Sequence, residues 1–344
     1  MINVNRRSAL VAIGLLSVCV ILFWVWTRWD NRRAASRYLG MNVIPLRMWS
    51  GVLINDENVM GTKLIVDTGS SVMIVMREGS EGTCASKSGP VRTYHYGTAA
   101  FRGRLVQGSS LPIRSDWEVQ TPWLCPVSGT DSVGVWGLCN NNSSTKESSF
   151  IEAMAGNQNT AVIGINMRDM WMSFKPAEQY TYSQIKSTHS LSTVNPSGNS
   201  INRPYIPLTQ LTVGGVVVRP SSGSTIPCIL DTGTSYPIVF VPPRPRGISI
   251  SKQLSLPAID WTFTTNGVRY RTHCNGRAGA NPAVGSHGLQ YSLTGNVLTL
   301  LQPGAFVILG MPALLCMGDL LNVHMARQSG GLLQVTKYEL ITFK

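Results

Sequence analysis

The chain has 344 residues and a formal net charge of +12, with 43% hydrophobic and 13% charged residues. This length accommodates one large domain or two of ordinary size, and the abundance of Gly and Pro excludes a helical bundle and general disorder in favour of a turn-rich β protein. The basic residues are scattered and form no recognised nucleic-acid motif, so no nucleic-acid partner is expected.

An unbroken apolar run extends from Ala9 to Trp26, after a short N-terminal tail at residues 1–8. Its length is just above the roughly 17-residue minimum for a helix that spans a bilayer. Arginines precede it, and tryptophans lie at its end, where an aromatic belt meets the headgroups. A cleaved signal peptide is the alternative, but its cleavage site needs small residues rather than Trp. We therefore predict a transmembrane signal-anchor at 9–26 and a juxtamembrane linker at 27–40.

The orientation signals conflict. More arginines follow the run than precede it, which by the positive-inside rule would place the rest of the chain in the cytosol. However, overlapping glycosylation sequons begin at Asn141 and Asn142, and an even number of cysteines outside the run is typical of a disulfide-containing domain. We therefore expect a single-pass membrane glycoprotein with disulfides and a lumenal or extracellular domain.

The cysteines outside the run could pair in many ways, and their spacing selects none. No two of them form a close C-x-x-C pair, so the sequence gives no support for a zinc site, and we expect no metal. These cysteines are Cys84, Cys125, Cys139, Cys228, Cys274 and Cys316.

Beyond residue 40, short runs rich in Val, Ile, Leu, Thr and Tyr alternate with clusters of Gly, Pro, Asn and Ser. This pattern predicts a mainly β protein without a long amphipathic helix. The serine-rich stretch Ser183 to Arg203 is the best candidate for a connector. It divides the chain into two comparable parts, residues 41–190 and 191–344.

An internal repeat occurs once in each part. Leu64 to Val75 and Cys228 to Val239 both contain Asp-Thr-Gly-Ser/Thr-Ser between two apolar runs. A single Asp-Thr-Gly would be read as an ordinary turn. Two extended copies, one in each part, are a strong signal for a symmetric functional site.

With these repeats the chain resembles the pepsin family of bilobal aspartic peptidases, from about Gly40 to its C-terminus. The stretch Tyr96 to Gly103 looks like the hairpin flap of that family. Val162-Ile163-Gly164 and Ile308-Leu309-Gly310 look like the segments that complete the ψ-shaped loop of each lobe. Leu256 to Phe263, with the turn at Asn266-Gly267-Val268 that follows, resembles a strand and hairpin of the second lobe.

The resemblance implies a mainly β, bilobal pepsin-like acid protease fold, here with an N-terminal transmembrane helix. It implies an aspartic endopeptidase that acts on polypeptide substrates as a monomer, without a cofactor. The catalytic residues would be Asp67 and Asp231. The residues that support this dyad would be Thr68, Gly69, Ser70, Thr232, Gly233 and Thr234, and the substrate-binding flap would include Tyr96, Gly97 and Thr98.

Peptide hydrolysis needs an activated water and a proton for the carbonyl oxygen, and two carboxylates that share one proton supply both. Gly69 and Gly233 would allow the two loops to approach closely. Thr68 and Thr232 would bond across the lobes, as the resemblance implies. Ile74 stands where the family has the Trp partner of its flap tyrosine. The alternative is a catalytically silent pepsin-fold protein that binds a peptide, a glycan or another enzyme.

Overall fold

The computed structural model describes the part of the chain that begins at Val43, with gaps. The predicted tail, signal-anchor and linker lie outside the described residues. Among the described residues, no helix is long and apolar enough to cross a membrane. The described residues are 43–57, 59, 62–75, 89–96, 99–106, 110–114, 117–128, 133–139, 150–174, 184–194, 204–213, 216–220, 224–235, 238–240, 255–279, 291–294, 297–300, 306–327 and 331–344.

The described part is mainly β, as predicted. In the first half of the chain the strands are β1 (Val43–Trp49), β2 (Val52–Asn55), β3 (Lys63–Asp67), β4 (Met73–Ile74), β5 (Val91–Tyr96), β6 (Ala99–Val106), β7 (Ser110–Arg114), β8 (Trp117–Gln120), β9 (Trp123–Ser128), β10 (Val133–Gly137), β11 (Thr160–Asn166) and β12 (Trp171–Ser173). A short helix, α1 (Phe150–Ala155), precedes β11.

The second half contains β13 (Ile185–Ser192), β14 (Ile206–Leu208), β15 (Gln210–Val213), β16 (Val216–Pro220), β17 (Ile226–Leu230), β18 (Ile238–Phe240), β19 (Ser255–Thr265), β20 (Val268–Gly279), β21 (Tyr291–Thr294), β22 (Val297–Leu300), β23 (Val307–Leu309), β24 (Leu320–Arg327) and β25 (Leu333–Phe343). Helix α2 (Met311–Met317) lies between β23 and β24.

The described strands form a 13-stranded sheet, a 10-stranded sheet and a separate β7-β8 pair. The first has the order β13-β25-β24-β11-β12-β1-β2-β3-β10-β4-β9-β6-β5, and the second β14-β17-β23-β18-β20-β19-β15-β16-β22-β21. The larger sheet therefore combines strands from both halves, because β25 pairs with β13 and β24 with β11. β3 belongs to the larger sheet and β17 to the smaller one, so the two Asp-Thr-Gly copies come from different sheets.

The predicted connector, Ser183 to Arg203, is partly a strand. Within it β13 pairs antiparallel with β25, and its side chains alternate between half-buried or buried and exposed, with Leu191 in the core. This period of two is the signature of a strand with one solvated face. The polar residues of this stretch hid the pattern, since Lys186, Thr188, Ser190 and Ser192 occupy its exposed positions.

The hairpin predicted in the second half of the chain is present in the structure. β19 and β20 pair antiparallel and are joined by Asn266 and Gly267. Both residues have positive φ, 48° and 75°, as a two-residue type I′ turn requires. Asn and Gly adopt this conformation at low cost, so the turn follows directly from the sequence.

An aromatic cluster fills the core beside β3 and β10. The buried indole of Trp136 packs edge-on against Phe150 of α1, with ring centroids 5.1 Å apart. Phe174 lies 5.2 Å from Phe150 and 6.1 Å from Trp136. Such pairs contribute about 0.5–1.5 kcal/mol each beyond simple burial. Because Trp136 immediately precedes Gly137, which pairs with Asp67, this packing fixes the strand next to the first aspartate.

An ion pair with little exposure connects α1 to the end of β24. Arg327 Nη1 lies 2.8 Å from Glu152 Oε2, and the Glu152 side chain is only 8% exposed. The guanidinium also donates to the backbone carbonyls of Gly156, Gln158 and Gly331. These bonds satisfy a charge that would otherwise be costly to bury.

The cysteines are not all disulfide partners. Cys125 is disulfide-bonded, whereas Cys139 and Cys228 are free thiols in the core, both with 0% exposure. These two side chains behave as small buried apolar groups. An even cysteine count is therefore a poor guide to pairing at these two positions.

Candidate active site

Each Asp-Thr-Gly copy lies at the carboxyl end of a strand that has a parallel partner. Asp67 is the last residue of β3, and its register partner on β10 is Gly137. Asp231 follows β17 directly, and its amide donates to the carbonyl of Leu309 on β23, with a distance of 3.0 Å. The two copies thus have equivalent local structures: a strand, a Thr-Gly turn, and a parallel neighbour that ends at the aspartate.

One of the two predicted loop-completing segments was assigned incorrectly. Ile308-Leu309-Gly310 does run beside the second aspartate, on β23 and the residue after it. Val162-Ile163-Gly164 does not run beside the first: it lies in β11 and pairs with β24 and β12. The segment beside Asp67 is Val135-Trp136-Gly137 of β10. Apolar pairs followed by glycine are common in β proteins, so this short pattern alone could not distinguish the two.

The sequence did contain a signal for the correct segment. Gly310 follows Asp231 by 79 residues. Gly137 follows Asp67 by 70 residues, which is closer to that separation than the 97 residues between Asp67 and Gly164. The structure also shows why a glycine is needed there. A Cβ atom at Gly137 would lie 2.4 Å from the amide nitrogen of Val72, in the loop after Asp67.

The two aspartate loops are in direct contact. A Cβ atom added to Gly69 would lie 2.8 Å from Asp231 Cγ, and one added to Gly233 would lie 2.8 Å from Asp67 Cγ. Both distances are shorter than any normal contact. Each glycine therefore faces the carboxyl group of the other copy, and the two carboxyl groups meet between the loops.

Reciprocal hydrogen bonds join the loops behind the carboxyl groups. The Thr68 amide donates to Thr232 Oγ1 at 3.2 Å, and the Thr232 amide donates to Thr68 Oγ1 at 3.1 Å. Thr68 Oγ1 donates onward to the Leu230 carbonyl, and Thr232 Oγ1 to the Val66 carbonyl. Both threonines are fully buried. The structure thus places them in the cross-connection that the resemblance implies.

The carboxyl groups accept hydrogen bonds from their own loops. Gly69 N donates to Asp67 Oδ1 and Gly233 N to Asp231 Oδ1, both at 2.7 Å. Thr234 Oγ1 donates to the second oxygen of Asp231 at 2.6 Å. In the first copy, the buried Ser70 Oγ has no partner of hydrogen-bond geometry among the described residues. The two aspartates therefore differ in how firmly their outer oxygens are held.

The pKa of Asp67 is raised well above its usual value. Burial is the largest cause, followed by the charge of the neighbouring Asp231. The nearby Ser70 hydroxyl and the Gly69 amide lower the pKa, but they do not outweigh the first two effects. Two carboxylates this close do not both ionise readily. Asp67 therefore keeps its proton at a pH where an isolated aspartate has lost it.

The predicted flap corresponds to an edge hairpin. β5 and β6 pair antiparallel, with Tyr96 opposite Ala99 at their ends; Gly97 and Thr98 lie outside the described residues. Phe101 of β6 is buried against a small apolar cluster that includes Ile74. Ile74 is fully buried, so the residue at the position of the family's Trp is a core side chain here.

A contact beside Asp231 cannot be predicted from the sequence. The β1-β2 turn at Ser50 and Gly51 brings Gly51 against the second copy, where an added Cβ would lie 3.0 Å from Ser235 Cβ. Met48 and Trp49, next to this turn, are 38% and 41% exposed. The Ser-Gly pair between apolar runs signals a turn, but nothing in the sequence indicates where that turn packs.

No group of three or more side chains able to hold a metal ion occurs among the described residues. No protein-family model matches the chain, and a search of curated proteins finds no match.

Proposed function

We propose that the chain is a membrane-anchored aspartic endopeptidase with a bilobal, pepsin-like fold. The observation that carries this proposal is the contact of two equivalent Asp-Thr-Gly loops, in which each glycine faces the other aspartate. A turn that served only to reverse the chain would not need such a symmetric counterpart. Burying two carboxyl groups that face each other costs stability, and titratable groups kept in such an environment cluster at functional sites.

The raised pKa of Asp67 and the hydrogen bonds to Asp231 support one allocation of roles within the proposed dyad. In this proposal Asp231 acts as the base, since Gly233 N and Thr234 Oγ1 donate to both of its oxygens and hold it in place. Asp67 acts as the acid, because its burial and the neighbouring Asp231 raise its pKa. A water bound between them transfers a proton to Asp231 as its oxygen attacks the carbonyl carbon, and Asp67 protonates the carbonyl oxygen.

The second step restores the dyad. Asp231 returns its proton to the amide nitrogen, the C–N bond breaks, and a hydroxyl of the tetrahedral intermediate gives a proton back to Asp67. The products are a carboxylic acid and an amine, and the two aspartates regain their starting protonation. The threonine cross-connection keeps the carboxyl groups in place throughout, so little reorganisation is needed.

Several further features belong to the proposal. An extended polypeptide would bind along the cleft through its backbone, beneath the β5-β6 hairpin as a lid. The catalytic unit would act as a monomer, since both aspartates come from one chain.

The run at 9–26 would anchor the protein, with the remainder lumenal or extracellular; carbonate extraction and a glycosidase shift at Asn141 or Asn142 would test this.

The decisive experiment compares the purified full-length protein with its Asp67→Asn and Asp231→Asn variants. We expect the parent to cleave an unfolded protein at acid pH, a statine-type transition-state mimic to inhibit it, and each variant to lose nearly all cleavage while staying folded. Asp169→Asn, in the exposed turn after β11, is the matched control and should retain full activity. If the parent binds the mimic without cleaving substrate, the chain is instead a silent binding protein.

A further inference from the structure

The 10-stranded sheet carries an unbalanced positive charge. Residues 206–309, which include all of its strands, contain seven basic residues and only two acidic ones, Asp231 and Asp260. Asp231 belongs to the proposed dyad, so Asp260 is the one carboxylate of this stretch that can neutralise the surface of the sheet. A surface with so few acidic groups attracts anions beyond contact distance.

Three of these basic residues lie on one solvated face of the sheet. Arg269 and Arg271 of β20 are exposed on either side of the buried Tyr270. Arg219 of β16 is exposed beside the buried Val218. Because successive side chains of a strand point to opposite faces, all three arginines point away from the core. We call this surface the arginine face.

Strand register places Arg219 and Arg269 in one row across four strands. Arg269 pairs with Thr264, and Thr264 pairs with Gln210. The antiparallel register of β15 with β16 then brings Gln210 beside Arg219. Neighbouring strands lie about 4.8 Å apart, so the two arginines are separated by about 14 Å. The two residues between them are uncharged.

The charges of Arg219 and Arg269 are available to a partner. Neither side chain forms an ion pair with a carboxylate in the part of the chain that the structure describes. Asp260 is instead bonded to its neighbours on the hairpin, Arg271 Nη2 at 2.5 Å and His273 Nδ1 at 3.1 Å. The one carboxylate of the face therefore leaves the row without a counter-charge.

An extended acidic polypeptide has the spacing that this row requires. Its residues advance about 3.4 Å each, so side chains at positions i and i+4 lie about 14 Å apart on one side. A guanidinium binds a carboxylate through two parallel hydrogen bonds. A lipid surface is instead recognised by clusters of about four to eight basic residues, which is more than the arginine face has.

We propose that the arginine face binds an extended acidic segment of another protein, with carboxylates at positions i and i+4 paired to Arg219 and Arg269. Arg271 lies beside this row and adds to its positive field, although Asp260 offsets part of its charge. The contact uses neither aspartate of the proposed dyad. It therefore goes beyond the proposed function.

The test measures the fluorescence anisotropy of a labelled peptide of alternating Glu and Thr, mixed with the full-length protein. A statine-type mimic is present throughout, so that the peptide does not occupy or react in a substrate cleft. Because exposed ion pairs are modest contributors, Arg219→Ala and Arg269→Ala should each weaken binding about threefold, and together about tenfold. Binding should disappear in about 1 M salt, where the screening length falls to about 3 Å.

Arg168→Ala is the matched control. It also removes one exposed guanidinium, but from the turn after β11 in the larger sheet, and should leave the affinity unchanged. Asp260→Asn removes the carboxylate of the arginine face and should tighten binding.

The proposal is overturned if the parent does not bind the peptide, or if the Arg219→Ala/Arg269→Ala protein binds it like the parent. Binding of the parent to phosphatidylserine vesicles but not to the peptide would overturn it as well, and would assign the face to a membrane. Since the measurement is of binding rather than cleavage, it decides the question even if the protein has no peptidase activity.

Discussion

The hydroxyl of Thr68 accepts a hydrogen bond from the Thr232 amide, and the hydroxyl of Thr232 accepts one from the Thr68 amide. Each hydroxyl also donates to a carbonyl of the strand that carries the other aspartate. The two halves of the site thus hold each other through side chains that are too buried to reach water. All four of these hydrogen bonds involve the hydroxyl of Thr68 or of Thr232.

Replacing Thr68 with Ala should therefore destabilise the protein and inactivate it together. The change leaves the Thr232 amide and the Leu230 carbonyl buried without this partner, at a cost of about 2–4 kcal/mol in the free energy of unfolding. Thr68→Ser keeps the hydroxyl and should retain most stability and activity. Denaturant unfolding and kcat measurements on both variants check this; a stable, active Thr68→Ala would contradict it.

Stability should fall as the pH rises, because the pKa of Asp67 is higher in the folded chain than in the unfolded one. Its contribution is fully present below the unfolded value of about 3.9 and is lost as the pH passes through the raised folded value. Asp67→Asn, a neutral isostere, should flatten this dependence and be more stable than the parent at neutral pH. Unfolding curves over a pH series measure the effect.

Peptide cleavage should also be lost as the pH rises through the raised pKa of Asp67. Once Asp67 loses its proton, no group is left to protonate the carbonyl oxygen, so kcat/KM should decline above its raised pKa. A profile that stays flat from acid to alkaline pH would contradict the shared proton.

A methyl group at Gly69 should separate the two carboxyl groups. Because its Cβ would lie 2.8 Å from Asp231 Cγ, Gly69→Ala should lower kcat by about 100-fold or more. Gly156→Ala is the control. Gly156 has a φ of 54° but nothing within 4 Å of an added Cβ, so the change should cost about 1 kcal/mol of stability and leave kcat unchanged.

Removing one partner of the Arg327–Glu152 pair should destabilise the protein without changing the chemistry of the site. Glu152→Ala leaves a poorly exposed guanidinium without its carboxylate, which should cost about 3 kcal/mol. Lys337→Ala breaks a more exposed contact with Glu339, 3.8 Å long, and should cost under about 0.5 kcal/mol. Melting temperatures and kcat, measured in parallel, separate stability from catalysis.

Substitutions of Tyr96 test whether the β5-β6 hairpin acts as the lid. If the β5-β6 hairpin closes over substrate, Tyr96→Ala should lower kcat/KM at least about tenfold through poorer substrate ordering, while Tyr96→Phe should be milder. Arg102→Ala, on the exposed side of the return strand, should have little effect. A Tyr96→Ala protein as active as its parent would place the lid elsewhere.

The aspartate loops were predictable because a repeated five-residue pattern between apolar runs has few structural interpretations. The Asn266-Gly267 turn was predictable for a similar reason, since two positive φ angles select those residues. In both cases, local backbone geometry restricts the choice of amino acid. Such restrictions are visible in a single sequence.

The remaining features depend on contacts between distant segments. Gly137 rather than Gly164 lies beside Asp67 because of strand pairing that a three-residue pattern does not encode. Gly51 reaches Ser235 only because the fold brings the β1-β2 turn against the second aspartate loop. The sequence around Gly51 indicates an ordinary turn, and nothing local connects it with the dyad.

The shared 13-stranded sheet also constrains how the chain is made. β24 and β25 close that sheet against β11 and β13, yet they follow every strand of the 10-stranded sheet in the chain. A ribosome-bound intermediate that contains β1 to β13 therefore exposes an unpaired strand edge until the last strands emerge. Such edges recruit other chains. The first half therefore completes its sheet only after β24 and β25 have been made.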